Sequence, residues 1–150
     1  MTTVTRNQTD EMQVRELIDR WVRAVRAKDV DALMLSYEPN ILLYDLAPPL
    51  LYRGVSGYRK SWQEWFAPFL GAVGYEIHDL SLSVSDNVAF STSINRISGT
   101  KIDEEEQLDV WIRATIGYHK QDGQWLIAHE HFSVPFYMDG SFKAAIDLTP

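Results

Sequence analysis

The sequence predicts an α+β fold with helices in the first half of the chain and strands in the second. Two observations carry this. Apolar residues recur three and four apart as far as about residue 70, and from Gly74 onward they alternate with a period of two. A third observation concerns what the fold encloses: 5 Trp, 7 Tyr and 6 Phe in 150 residues require either a bulky core or a lined cavity. A strongly twisted antiparallel sheet curls. Three N-terminal helices laid in its concave face give a cone-shaped α+β barrel with a cavity inside.

The first helix is expected over about Asp10 to Lys28, where Val14, Leu17, Ile18, Trp21, Val22 and Val25 fall on one face. Asp10 with Gln13 resembles a capping box at its start. Asp29 caps a second, short helix with the stripe Val30, Leu33, Met34 and Tyr37, which Pro39 and Asn40 end. A short strand follows at Ile41–Asp45. Pro48-Pro49 then imposes an irregular loop before an extended piece at Leu51–Arg53. After Gly54 a third helix carries Val55, Tyr58, Trp62, Trp65, Phe66 and Phe69, closed by Pro68 and Gly71. Four long strands are expected at about Tyr75–Val84, Val88–Ser98, Gln107–Lys120 and Gln124–Phe136. Asp86-Asn87 and Asp122-Gly123 supply hairpin turns, the second with the preference of a two-residue type I′ connection. The acidic run from Asp103 to Glu106 is a solvated hairpin tip, and the last dozen residues read as a loosely held tail.

One domain spanning residues 1–150, with its folded core at about 10–136, suits this length. The formal charge of −7 argues against a phosphate-tracking nucleic-acid binder and against a protein held on an anionic membrane. Without cysteine there is no disulfide framework, thiolate nucleophile or cysteine zinc site. No apolar run approaches the ~20 residues of a spanning helix, and the polar N-terminus lacks the apolar segment of a signal peptide, so a cytoplasmic location is expected.

Counting back from the Asp122-Gly123 turn, an uninterrupted register sets Gly117 opposite Ala128, Thr115 opposite Glu130 and Arg113 opposite Phe132. That register puts Arg113, Glu130 and Phe132 on one face of the hairpin, with Arg113 and Glu130 diagonal neighbours in reach of an ion pair. His129 and His131 fall on the other face with Ala114, Ile116 and Tyr118. The two histidines lack an evident third ligand there, so no metal is expected. His78 shares its parity with Leu80, Leu82 and Val84. Neither face of the sheet is plainly polar, which implies helices on one side and a second copy of the chain on the other.

These residues resemble the nuclear-transport-factor-2-like superfamily, and within it the SnoaL-like branch with its ketosteroid-isomerase-like relatives. The resemblance rests on Leu17 through Trp21, Ala27 through Leu33, Tyr37 through Asp45 to Gly54, and the ending Asp122 through Pro135. It covers roughly residues 10 to 136 and implies the cone fold. Against ketosteroid isomerase, Asp45 falls where that enzyme keeps its general base, and Trp62 where a pocket tyrosine sits. The oxyanion-donor tyrosine is matched by Trp21 and the protonated aspartic acid by Thr115, so that donor pair is missing and steroid isomerisation by that mechanism is not expected. His78 resembles, more loosely, the position of a catalytic histidine in scytalone dehydratase. Asp45, Arg113 and Glu130 form a distant analogue of the Asp-Arg-Asp cluster of limonene epoxide hydrolase, unsupported by any motif.

Two functional readings follow. In the first, the chain is a cofactor-independent isomerase, dehydratase or cyclase acting on an apolar carbonyl compound. Asp45 moves the proton, His78 assists, and Asn95 or Arg113 stabilises the developing oxyanion. Trp21, Tyr37, Trp62 and Phe132 would receive a flat apolar or aromatic ligand, with Asn95, Arg113 and Glu130 as polar handles. In the second, the cone binds a ligand or is simply filled, and the domain serves binding or dimerisation through its outer sheet face. The competing structural readings are an exposed Asp45, a His78 satisfied in the core and a plain Arg113–Glu130 ion pair.

Overall fold

Residues 2–150 are described by the structure, a computed structural model, with side chains described from residue 8 onward. Along the chain run α1 (Thr2–Ala27), α2 (Val30–Met34), β1 (Tyr37–Tyr44), β2 (Tyr52–Arg53), α3 (Val55–Phe66), β3 (Phe69–Val84), β4 (Val88–Lys101), β5 (Leu108–Gln121) and β6 (Gln124–Ser133). The six strands form one curved, unclosed sheet in the order β2-β1-β6-β5-β4-β3. The expected α+β cone is therefore present, with two departures. The sheet is mixed, because β1 lies parallel to β6, and it does not close into a barrel.

Local chemistry explains most boundaries. Asp29 caps α2 by accepting from the Ala32 backbone N–H at 3.0 Å, as its position predicts. At the β5–β6 turn Asp122 and Gly123 both have positive φ, 50° and 78°, the backbone of a type I′ turn. Other boundaries move. α1 begins at Thr2, not at Asp10, and the Asp10 side chain, within the helix, makes a tertiary contact: it accepts from Lys120 Nζ at 2.8 Å and Trp125 Nε1 at 3.1 Å. Tyr37, Pro39 and Asn40 belong to β1 instead of ending α2. β3 starts at Phe69, immediately after α3 and Pro68. β6 stops at Ser133, and the tail beyond it is folded back: Tyr137 N–H donates to the Lys143 carbonyl and Ala145 N–H to that of Pro135, both at 2.8 Å, with Ala145 buried.

α1 packs against β3 and β6, while α3 lies across β1, β2 and β3. Between helices and sheet sits the core, in which Leu17, Val25, Leu33, Ile41 and Leu43 are essentially unexposed. Burying each such side chain contributes about 1.5–3 kcal/mol. Trp21 is the hub: its Nε1–H donates to Tyr37 Oη at 2.7 Å, its ring meets Tyr75 and Trp62 edge-on at 5.0 and 5.9 Å, and Phe132 stacks on it.

Two irregularities in the sheet decide which side chains enter the cone. The β5–β6 register runs as expected from the turn to Tyr118 opposite Ile127, and then slips at Ala128, so that Gly117 faces His129. From there Ile116 faces Glu130, Ala114 faces Phe132, and Arg113 faces Ser133. One extra residue inverts the facing of everything beyond it. A second slip lies in β3 between His78 and Ser81, where Asp79 has φ of 52°. Val73, Tyr75 and Ile77 therefore face inward before the slip, and Leu80, Leu82 and Val84 after it.

Candidate functional site

The cone opens on a cavity of about 380 Å³. Its walls come from three places. The loop after β1 supplies Asp45 through Pro48, α3 supplies Tyr58, Trp62 and Trp65, and the sheet supplies Tyr75, Ile97, Ile112 and Phe132. Tyr58, Trp62 and Trp65 reach it together because residues three and four apart share a helix face. A second, smaller chamber of about 30 Å³ lies against Trp21, Ser91, Ser93, Asn95, Tyr118 and Glu130, and it shares Phe132 with the first.

Asp45 is half-buried at the wall of the larger cavity. Burial pushes its carboxyl above the usual range, against the pull of the Leu46 N–H that it accepts at 2.7 Å. The fully buried Glu130 lies deeper. Burial pushes its carboxyl up to about 8 and the nearby charge of Asp45 adds to this, while hydrogen bonding with Tyr58 and Tyr37 opposes it. Tyr58 Oη–H donates to Glu130 Oε2 at 2.8 Å. Burial and the same carboxylate push the Tyr58 and Tyr37 hydroxyls well above their ordinary values. Two buried side-chain polar atoms on these walls have no hydrogen-bond partner: Trp62 Nε1 and Glu130 Oε1.

The structure thus gathers Trp21, Tyr37, Trp62, Asn95, Glu130 and Phe132 inside the cone, with Asp45 at its mouth. Two expectations are overturned. Arg113 does not pair with Glu130; the slip at Ala128 turns Glu130 and Phe132 into the cone, while Arg113 on β5 stays on the convex face, where it is exposed and donates to Ser133 Oγ at 3.1 Å. His78 does not share a cavity with Asp45; ahead of the slip in β3 it points outward, within 3.2 Å of Glu76 and against the Trp111 ring. Asn95 is inside but engaged, donating to Tyr75 Oη at 2.8 Å and accepting from Ser93 Oγ at 2.7 Å. His129 and His131 flank Tyr44, and His129 Nδ1–H donates to the Leu42 carbonyl at 2.6 Å. No group of three or more His, Asp or Glu side chains able to hold a metal ion occurs among the described residues. The sequence reading missed Tyr58 and Tyr75 as members of the site. Tyr58 was detectable, four residues before Trp62 in the same aromatic stripe, whereas nothing local marked Tyr75.

An open cone of this kind, with Asp45 on the wall of an aromatic cavity, is the fold of the nuclear-transport-factor-2-like class. The chain belongs to the SnoaL-like domain family, which matches residues 14–137. It is similar to a nuclear-transport-factor-2-like protein of unknown function from Pseudomonas putida KT2440, at 34% identity over 95% of this chain and 98% of that one, with a TM-score of 0.85. A candidate scytalone dehydratase from Novosphingobium aromaticivorans is similar at 15% identity, 95% of both chains and a TM-score of 0.80. A candidate ketosteroid isomerase from Shewanella frigidimarina is similar at 22% identity, 79% of this chain and 92% of that one, with a TM-score of 0.65. These last two share the fold. No curated protein matches the sequence. No helix among the described residues is long and apolar enough to cross a membrane.

Proposed function

We propose that the cone binds a small, flat apolar or aromatic carbonyl compound and transfers a proton on it without a cofactor, as an isomerase, dehydratase or cyclase, with Asp45 as general base and acid. The observation that carries this reading is the Asp45 carboxyl, pushed above its usual range at the wall of an aromatic cavity of about 380 Å³. A carboxylate of raised basicity removes a proton beside a carbonyl more readily, and the cavity walls exclude the water that would otherwise solvate it. As the proton leaves carbon, negative charge gathers on the carbonyl oxygen and needs a donor. Trp62 takes that role in place of Arg113 and Asn95, because its Nε1–H is buried on the cavity wall without a partner. Asp45 then returns the proton to carbon, or to a leaving hydroxyl. The candidate dehydratase and isomerase of the same fold support this class of chemistry.

Deuterium exchange at the α-carbon of 2-tetralone, followed by proton NMR, tests it. The protein should accelerate exchange over buffer, and Asp45→Asn should lower the rate by about 10²–10⁴-fold while 2-tetralone still binds. Asp45→Asn exchanging as fast as the unaltered protein would sink the mechanism. Binding with no exchange in either would leave a ligand-binding domain. For the convex face, which exposes Phe90 and carries a half-buried Trp111, we propose pairing with a second copy. A monomeric mass in sedimentation at micromolar concentration would refute that.

A further inference from the structure

The walls of the larger cavity carry charge of one sign. Six aromatic rings line it, and its two charged side chains, Asp45 and Glu64, are both acids. The smaller chamber adds Glu130, and among the described residues no Lys, Arg or His lines either space. The groups inside register this imbalance: burial raises the Tyr58 and Tyr75 hydroxyls first, and the charges of Glu130 and Asp45 raise them further. Trp62 marks the space as one that takes a ligand, since it is 8% exposed and its Nε1–H has no partner. Glu64 and Trp65 are consecutive on α3 and both line the opening, Glu64 exposed and Trp65 half-buried. Trp65 packs edge-on against Trp62 and Phe69 at 5.6 and 5.0 Å, which fixes its ring. Glu64 also lies 3.8 Å from Lys60, but these side chains are 68% and 78% exposed, so the pair is loose and yields readily.

We propose that the ligand of this cavity carries a cationic nitrogen, an alkylammonium group, which stays at the rim with Glu64 and the Trp65 ring while the apolar body and its carbonyl lie inside against Trp62. This deepens the preceding reading and rests on its cavity. Dehydration decides where the charge sits. An ammonium carried to the base of the cone would lose its water, whereas at the rim it keeps part of its hydration and gains a carboxylate and an indole face, the strongest of the aromatic partners for a cation. The less exposed Asp45 is left to move the proton. An anionic end in the same place would meet two like charges and no partner. The formal charge of −7 adds to this selection by raising the local concentration of cations.

Isothermal titration calorimetry at pH 7 with 2-aminotetralin, 2-tetralol and tetralin-2-carboxylate tests this, the three sharing one body and differing in charge. The amine should bind about tenfold more tightly than the alcohol, and the carboxylate about tenfold more weakly. Added sodium chloride should narrow both differences. Glu64→Gln changes an exposed side chain, so the fold is kept, and it should cut the preference for the amine over the alcohol to under about threefold. A preference unchanged in Glu64→Gln would overturn the rim site. Equal binding of all three would overturn selection by charge while leaving the cavity as a ligand site. Binding of none would overturn the cavity reading and this inference with it.

Discussion

Along β6, Glu130 and its two neighbours occupy different chemical worlds. Glu130 enters the cone, is wholly buried and holds its proton up to about pH 8. His131 stands on the convex face beside Tyr44, exposed to solvent. The contrast extends across the sheet. Of the ionisable groups on the inner side, Glu130 is dehydrated and tied to the Tyr58 hydroxyl, and Asp45 accepts from the Leu46 N–H. Those outside form solvated pairs such as Arg96 with Asp109 at 2.6 Å, where the guanidinium holds the carboxyl below its usual range. The same residue types are thus pushed in opposite directions by the two faces. Burial dominates on the concave side and a partner charge on the convex side. Only the first makes a carboxyl available as a neutral hydrogen-bonding group or a strong base near pH 7.

The largest test of this difference is Tyr58→Ala. It removes a fully buried ring and unpairs Glu130 Oε2, and should cost about 3–5 kcal/mol in urea unfolding. A loss under about 1 kcal/mol would mean that the cone relaxes as freely as a surface. Next comes the pH dependence of Glu130. The folded protein keeps this proton to about pH 8, whereas the unfolded chain releases it near 4.5, so between those values the unfolded state binds fewer protons. Stability should therefore fall as pH rises through that window, by up to about 1.4 kcal/mol per unit from this group. Glu130→Gln should flatten the curve relative to the unaltered protein in thermal melts from pH 5 to 9. Parallel curves would show that Glu130 ionises normally.

Tyr58→Phe keeps the ring and deletes one hydroxyl. It should cost about 1–3 kcal/mol and move the Glu130 titration upward, since that hydrogen bond holds the carboxyl down. NMR titration of the Glu130 side-chain carbon reads the shift directly, and a downward movement would contradict the assigned contact. The smallest effect belongs to the convex face. Arg113→Ala should change stability by less than about 0.5 kcal/mol and leave ligand binding untouched, because the side chain is exposed and, among the described residues, bonded to Ser133 alone. A loss of binding would return Arg113 to the site.

Asp29 capping α2, the Asp122-Gly123 turn, the aromatic face of α3 and the amphipathic stripe of α1 were all legible in the residues. Each depends on neighbours a few positions away, and the sequence alone determines such interactions. From them the α+β class and the cone followed, and so did the inward placement of Trp21, Tyr37 and Trp62. Tertiary structure decided the rest. The slip at Ala128 and the slip after His78 are single extra residues in strands whose facing alternates every residue, so each reversed the side chains beyond it. Pairing Arg113 with Glu130 required a register that a count from the turn supplies only as far as Tyr118. The parallel docking of β1 beside β6 joins residues 87 to 90 positions apart, and it brings Asp45 near Tyr58 and Glu130. The proton affinity of Glu130 is set by dehydration, and dehydration exists only once helices and sheet have closed around it.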